Sequence, residues 1–400
     1  MVDFDFNTEC TGCRACADVC PKQCIAICED RDGFAMPKVD KDTCINCGLC
    51  ENVCPTLNHQ VKSYEDQKCY AVYHKDDEIR AEGSSGSVFF ALAELIIQKQ
   101  GGAVYGAAFD ENLQLHHIRA TDMAGVRLQM KSKYIQSDTT GIYKQVLADL
   151  QEGREVLFVG TPCQCQALHN MTAAKLRERL LLADIICHGV PSQSLFNKSI
   201  QQFEKKNKCK VTSFSFRKKT KESLRNYKLT YTTADGNTLT KVGDLDEIPF
   251  CVGYFNHWSI RNSCYACMHR GVERAADVTL GDFWGMKEIH PELEDFEKGY
   301  SSLIVNTEKG KRIVEQLSSC AVEEIPGGVQ FVTAHNRAYT KPDEKSLMRK
   351  LFFWCLRHLG VEYCEKHFLT MNPSLPDRLL NSIIIRIDRI KKIFTSWINK

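Results

Sequence analysis

The stretch Cys10-Thr11-Gly12-Cys13-Arg14-Ala15-Cys16-Ala17-Asp18-Val19-Cys20-Pro21 spaces four cysteines by two, two and three residues and closes on proline. Cys44-Ile45-Asn46-Cys47-Gly48-Leu49-Cys50-Glu51-Asn52-Val53-Cys54-Pro55 repeats the pattern. Two-residue gaps let three successive thiolates wrap one cubane cluster from a single loop, while the fourth cysteine projects toward the other cluster. The spacing therefore predicts two [4Fe–4S] clusters. One is held by Cys10, Cys13, Cys16 and Cys54, the other by Cys44, Cys47, Cys50 and Cys20. Pro21 and Pro55 redirect the chain after each crossing cysteine, and Gly12 and Gly48 permit tight turns beside a cluster. The competing assignment is a pair of zinc sites, but zinc knuckles use paired C-x-x-C units rather than triple runs closed by Cys-Pro. Cys24 and Cys28 lie outside the pattern and are expected to be buried small apolar residues.

Composition agrees with metal ligation. The chain has 400 residues and 21 cysteines, ten of them within residues 1–58. A disulfide framework would require an oxidising compartment and a small secreted domain, so ligation is the better account of these thiols. A net charge of +2 argues against nucleic acid as a partner. Met1 to Glu9 shows neither the basic region nor the apolar core of a secretion signal. No apolar stretch reaches the roughly 18 residues of a membrane span. A cytoplasmic protein is expected.

Past the polar stretch His59 to Lys68, read as a linker, the pattern becomes α/β. Ser84-Ser85-Gly86-Ser87 precedes the apolar run Val88 to Ile97, which ends at Gly101-Gly102, as in a capped helix. Ala103 to Phe109 reads as a strand, Ile142 to Gln151 as a helix, and Glu155 to Val159 and Arg179 to Cys187 as buried strands. Asn226 to Thr233 and Thr238 to Val242 flank Asp235-Gly236, a hairpin signal. Arg217-Lys218-Lys219-Thr220-Lys221 reads as a solvated loop. Leu379 to Ile398 is amphipathic, with basic residues interspersed, and suits packing on the protein's own core, a partner or a membrane surface. The predicted class is α+β: a small bis-[4Fe–4S] ferredoxin-like domain over 1–58, a mixed-sheet α/β domain over 69–335 and a helical C-terminal region over 340–400.

Three further segments carry chemistry: Leu157-Phe158-Val159-Gly160-Thr161-Pro162-Cys163-Gln164, Asp184-Ile185-Ile186-Cys187-His188-Gly189-Val190-Pro191-Ser192, and Cys264-Tyr265-Ala266-Cys267 followed by Arg274 and Asp277-Val278-Thr279-Leu280-Gly281-Asp282-Phe283-Trp284-Gly285. With these segments the chain resembles, from about Cys69 to Glu324, the beta subunits of the coenzyme F-420 hydrogenase/dehydrogenase family. The resemblance divides the second domain into parts of about 69–150 and 151–335. It implies a flavin, FAD or FMN, beside a third [4Fe–4S] cluster on Cys163, Cys187, Cys264 and Cys267. Two strand-end thiols and a C-x-x-C pair are able to converge in that way, although four buried cysteines or a zinc site would fit the same residues. Cys163 is preferred to its neighbour Cys165, which should begin a helix.

The resemblance also places the flavin on Ser84, Ser85, Gly86, Ser87, Lys133, Tyr134, Gln136, Ser137, Gly160 and Thr161. A Ser/Gly-rich loop at a helix start offers N–H groups to a phosphate, although an ordinary helix cap has the same composition. Lys133 would add charge. His188 and Asp282 are candidates to relay a proton. No GxGxxG dinucleotide fingerprint is present. The expected activity is an oxidoreductase that passes electrons from ferredoxin or a similar donor through the clusters to the flavin and on to an unidentified organic substrate. The alternative is an electron-transfer subunit that docks on a partner enzyme.

Overall fold

The computed structural model describes residues 2, 9–59, 61, 63–99, 101–369 and 382. In the N-terminal unit the helices Ala15–Val19 and Leu49–Val53 each begin behind a left-handed residue, Arg14 (φ 64°) and Gly48 (φ 74°). Each helix thus starts inside a cysteine run, and Cys20 or Cys54 follows it in extended conformation. The two runs are joined by an antiparallel hairpin, Ile25–Glu29 (β1) and Ala35–Val39 (β2). The Asp30 carboxylate closes its turn by accepting from the amides of Asp32 and Phe34 at 2.8 and 2.9 Å.

The second domain is built on strands Cys69–His74 (β3), Ala103–Phe109 (β4), Leu115–Ala120 (β5), Val156–Gly160 (β6) and Leu180–Ile185 (β7). Cys209–Lys218 (β8), Asn226–Thr233 (β9) and Thr238–Asp244 (β10) come next, then Val278–Asp282 (β11), Ser301–Val305 (β12) and Cys320–Glu324 (β13). Eight of them form one mixed sheet in the order β13-β3-β12-β11-β7-β6-β4-β5. Its centre, β11-β7-β6-β4, is parallel, and its outer strands pair antiparallel. Parallel strands are covered on both faces and so read as continuous apolar runs. Val156-Leu157-Phe158 and Leu180-Leu181-Leu182 are all buried, each side chain contributing about 1.5–3 kcal/mol.

The strand and helix expectations match closely. Ala103–Phe109 and Ile142–Gln151 fall on their predicted bounds. The run from Val88 is an α-helix to Glu94 that continues as a π-turn, Leu95–Lys99. The Asp235-Gly236 hairpin forms as well, but it belongs with β8 to a separate three-stranded sheet, β10-β9-β8. Cys24 is buried as expected, whereas Cys28 is exposed on β1. The last described helices are Leu347–His358 and Gly360–His367. The amphipathic segment Leu379 to Ile398, Ser382 apart, lies outside the described residues. Among the described residues no helix is long and apolar enough to cross a membrane.

Because β6, β7 and β11 run parallel, their carboxyl ends share one edge of the sheet, where open α/β sheets bind ligands. Gly160-Thr161, Ile186-Cys187-His188 and Asp282-Phe283 emerge there.

Candidate cofactor sites

In the N-terminal unit Cys10, Cys13, Cys16 and Cys54 line one cavity, and Cys20, Cys44, Cys47 and Cys50 line another. Cys24 also faces the second cavity, its Sγ 3.4 Å from that of Cys20. The cysteine spacing gives no sign of this fifth thiol. The two cavities differ in setting. Around the second, Cys47, Ile45 and Leu49 are exposed. The first faces the second domain, which grips the loop carbonyls around it. Thr139 Oγ1 and Tyr143 OH donate to Cys13 O at 2.8 and 3.0 Å, Ser263 Oγ to Cys10 O at 3.0 Å, and Gln136 Nε2 to Thr11 O at 2.7 Å.

A third cavity, about 480 Å³, lies next to the first and is lined by Cys163, Cys187, Cys264 and Cys267 together with Thr11, Thr56 and Leu57 of the N-terminal unit. Three chain segments bring these four thiols together. Cys163 sits in the first turn of helix Pro162–Met171, directly after β6. Cys187 follows β7, and Cys264 lies in the short 3-10 turn Asn262–Ala266 that Cys267 ends. Cys165 points elsewhere; it is fully buried under the sheet, its thiol 3.6 Å from Ala183 O. Among the described residues no three Cys, His, Asp or Glu side chains close on a point that a single ion would fill; the thiols stand around a space instead. Burial pushes the thiols of Cys163 and Cys187 up and that of Cys264 to about 12. They are held as thiolates only if a cationic centre shares the chamber. Arg270 and Arg274 line the same chamber, so buried positive charge is already present. These residues fit an iron–sulfur cluster.

A larger cavity of about 540 Å³ opens at the sheet edge, within the size range of cofactor sites. Ser84, Ser85, Ser87, Lys133, Tyr134, Ser137, Gly160, Thr161, His188 and Asp282 all line it. Cys187, Thr161, Gly189 and Val190 line both this cavity and the thiol-ringed chamber. Two expected contacts fall elsewhere. Gly86 packs on β3, where a Cβ would meet Val72 O at 2.0 Å, and its amide donates to Ser301 Oγ. Gln136 turns to the N-terminal unit, bonded to Thr11 O and Arg261. The ammonium of Lys133 is committed as well: it donates to the carbonyls of Ala107, Gln129 and Met130, each at 2.7 Å, at the end of helix Met123–Gln129. Its role at this wall is therefore a helix cap rather than a free charge.

The cavity owes its shape to residues without a motif. Tyr134 stacks on Tyr254 with ring centroids 5.0 Å apart, and Phe255 and Trp284 also line the wall. Below it runs a hydrogen-bonded chain. Gln164 Oε1 accepts from Thr161 N at 2.9 Å, and Gln164 Nε2 donates to Ser137 Oγ at 3.1 Å. Ser137 meets His117 Nδ1 at 3.0 Å, and His117 Nε2 meets Val159 O at 3.0 Å. A carbonyl only accepts, so Nε2 carries the proton and Ser137 donates to Nδ1. His188 stacks on His257 at 6.5 Å, and burial lowers its pKa to about 4.

A dicluster unit seated on a mixed α/β sheet, with a further ring of thiols at the junction, defines an iron–sulfur electron-transfer protein. Comparison with known proteins gives the family. Residues 9–58 match the 4Fe-4S dicluster domain, and residues 153–326 match the C terminus of the coenzyme F-420 hydrogenase/dehydrogenase beta subunit. The F subunit of the F(420)H(2) dehydrogenase of Methanosarcina mazei is 21% identical over 325 residues, 77% of this chain and 82% of that protein. Ferredoxin 7Fe of Hydrogenibacillus schlegelii is 37% identical over 71 residues, 17% of this chain and 85% of that ferredoxin. A chain from the xenon-derivatised F-420-reducing [NiFe] hydrogenase complex of Methanosarcina barkeri aligns over 79% of this chain and 96% of its own, with a TM-score of 0.44 and 15% identity. Residues 153–326 thus carry the C-terminal region of coenzyme F-420 hydrogenase/dehydrogenase beta subunits, and residues 9–58 a 4Fe-4S dicluster domain.

Proposed function

We propose that this protein is a ferredoxin-linked flavoprotein oxidoreductase with three [4Fe–4S] clusters. Cys20, Cys44, Cys47 and Cys50 hold the outermost cluster, Cys10, Cys13, Cys16 and Cys54 the next, and Cys163, Cys187, Cys264 and Cys267 the third. The flavin occupies the cavity of about 540 Å³. The observation that carries this reading is the shared wall: Cys187 and Thr161 face the thiol-ringed chamber on one side and the large cavity on the other. A bound flavin supplies the exchange between one-electron and two-electron chemistry. The chain's own residues position it. Tyr134 and Tyr254 form an aromatic wall, and the Thr161–Gln164–Ser137–His117 chain fixes the loop after β6.

The exposed face around Cys47, Ile45 and Leu49 receives the electron donor, a ferredoxin or similar protein. The curated relative from Methanosarcina mazei is named as a subunit. On that likeness the same relay would serve a partner enzyme instead of a substrate of its own.

Anaerobic purification, followed by iron and flavin analysis and by flavin reduction with reduced ferredoxin, NADH and reduced deazaflavin in parallel, tests the reading. About twelve irons and one flavin per chain are expected, with rapid bleaching by ferredoxin and none by NADH alone. About eight irons, or no retained flavin, would sink it.

A further inference from the structure

Among the described residues Arg270 is a buried cation without a counter-ion. It is 9% exposed and donates from Nη1 to two carbonyls, Ala338 O at 3.1 Å and Lys341 O at 2.9 Å. Its Nε has no partner. The neighbouring Arg274 is neutralised by Asp184 at 2.9 Å, both side chains 1% exposed, but among the described residues no carboxylate pairs with Arg270. Of the carboxylates near it, Asp282 is committed to Arg217 and Asp343 to His257, and Glu9, at the rim of the same chamber, is exposed to solvent. An uncompensated buried charge is strongly destabilising, so its persistence calls for an anion in the same chamber. Arg270 lines the chamber ringed by Cys163, Cys187, Cys264 and Cys267.

The outermost thiol ring has no such cation. The outermost ring is lined by one basic residue, the exposed Lys22, and Cys47 is open to solvent. At the next ring Arg14 pairs with Asp138, and Arg261, 2% exposed, is a second buried cation, bonded to Gln136 Oε1, Ala35 O and Cys10 O.

We propose that Arg270 is the fixed counter-charge of the third cluster and raises its reduction potential above that of the outermost cluster, so that electrons run inward toward the large cavity. The inference rests on the three-cluster reading above. A cluster held by four thiolates is anionic and becomes more so on reduction, so a permanent positive charge beside it favours the reduced form. In the step, one electron leaves the cluster on Cys10, Cys13, Cys16 and Cys54, which is oxidised, and enters the third, which is reduced. No bond forms or breaks, and no proton is required, because the guanidinium stays charged throughout.

The test is a redox titration of the anaerobically purified full chain followed by electron paramagnetic resonance. Cys264→Ser identifies the third cluster's signal by its loss; if that variant keeps the wild-type iron content, the cluster reading itself has failed, whatever Arg270 does. With the signal assigned, the wild-type third cluster is expected to be reduced ahead of at least one of the other two as the potential falls. Arg270→Gln is expected to lower its reduced-to-oxidised ratio at a given potential about tenfold or more, a shift of about 59 mV for a one-electron couple. Arg270→Lys, which keeps the charge, is expected to retain most of the potential. A wild-type third cluster reduced last of the three, or together with both others, overturns the proposal. So does an Arg270→Gln protein with full iron and an unmoved third signal. If Arg270→Gln does not load its cluster, the wild-type order and the Arg270→Lys titration decide.

Discussion

Arg217 Nη1 donates to Asp282 Oδ2 at 2.7 Å, and both side chains line the large cavity. The same guanidinium bonds Tyr134 OH at 3.2 Å and Ser84 O at 2.7 Å. Arg217 thus ties β11, the serine loop and the aromatic wall together from β8, and Asp282 acts as its acceptor rather than as a free proton donor. Asp282→Asn leaves a buried guanidinium short of its counter-charge. We expect a loss of about 3 kcal/mol, the low end for a broken buried pair, because Asp282 keeps 23% of its side chain in solvent. Weaker flavin retention should accompany it. Chemical denaturation checks this, and an unchanged unfolding midpoint would contradict it.

Gly86 discriminates a packing role from a phosphate cradle. A Cβ there would meet Val72 O at 2.0 Å and Ser301 N at 2.8 Å, both backbone atoms of the sheet. Neither shifts cheaply, so Gly86→Ala should cost about 3 kcal/mol, as severe overpacking does. Thermal melting should register that loss whether or not flavin is added. If the variant melts like the wild type but binds flavin poorly, Gly86 belongs to the cofactor site after all.

His117 makes the fold sensitive to acid. Burial lowers its pKa to about 4, against about 6.5 in the unfolded chain. Between those values the unfolded state binds more protons than the folded one. Stability therefore falls as pH drops from about 6.5 to about 4 and levels off below, by at most about 1.4 kcal/mol per pH unit from this one group. His117→Gln should be less stable at pH 7, through loss of the Ser137 and Val159 bonds, but should fall less steeply toward pH 5. Denaturation midpoints at pH 7, 6 and 5 report the difference between the two slopes. Parallel slopes for wild type and variant would show that His117 does not titrate in this range.

Much of this architecture is legible in the chain because local rules govern it. Ligand spacing within each N-terminal cysteine run is a property of the loop itself, and β6 and β7 are apolar throughout because both their faces are covered. Arg217 was illegible for a physical reason. Its basic neighbours suggest a solvated loop, but a register shift between Ser215 and Lys218 in β8 turns Phe216 and Arg217 inward together. The stretch Lys133 to Ser137 was expected to serve one ligand, yet Gln136 faces the N-terminal unit while Tyr134 and Ser137 face the cavity. The backbone there is irregular, so no fixed period sorts its side chains between the two. The isolation of Arg270 depends on which carboxylates are already paired, and no one-dimensional pattern records that.

Gln136 is the joint between the electron-receiving unit and the rest of the molecule. Its Oε1 accepts from Arg261 Nε at 2.9 Å and Nη2 at 2.7 Å, while its Nε2 donates to Thr11 O. Arg261, 2% exposed, reaches on to Ala35 O at 2.9 Å and Cys10 O at 3.3 Å. Gly12 lies against the same guanidinium with φ at 69°, so a side chain there would displace Arg261. One amide thus orients a cation that clamps both the first cysteine loop and the β1–β2 hairpin. Gln136→Leu removes a charge-assisted acceptor and a donor together, at a cost of about 2 kcal/mol, and that cost falls on the junction. Iron content and the N-terminal cluster signals should stay at wild-type levels, because every N-terminal cysteine is untouched. Flavin affinity should also hold, because Gln136 does not line the large cavity. Limited proteolysis between the two units should run faster, and single-turnover transfer from reduced ferredoxin to flavin should slow. A variant that instead loses flavin, with proteolysis and cluster signals unchanged, would return Gln136 to the cofactor-binding role that the sequence suggested.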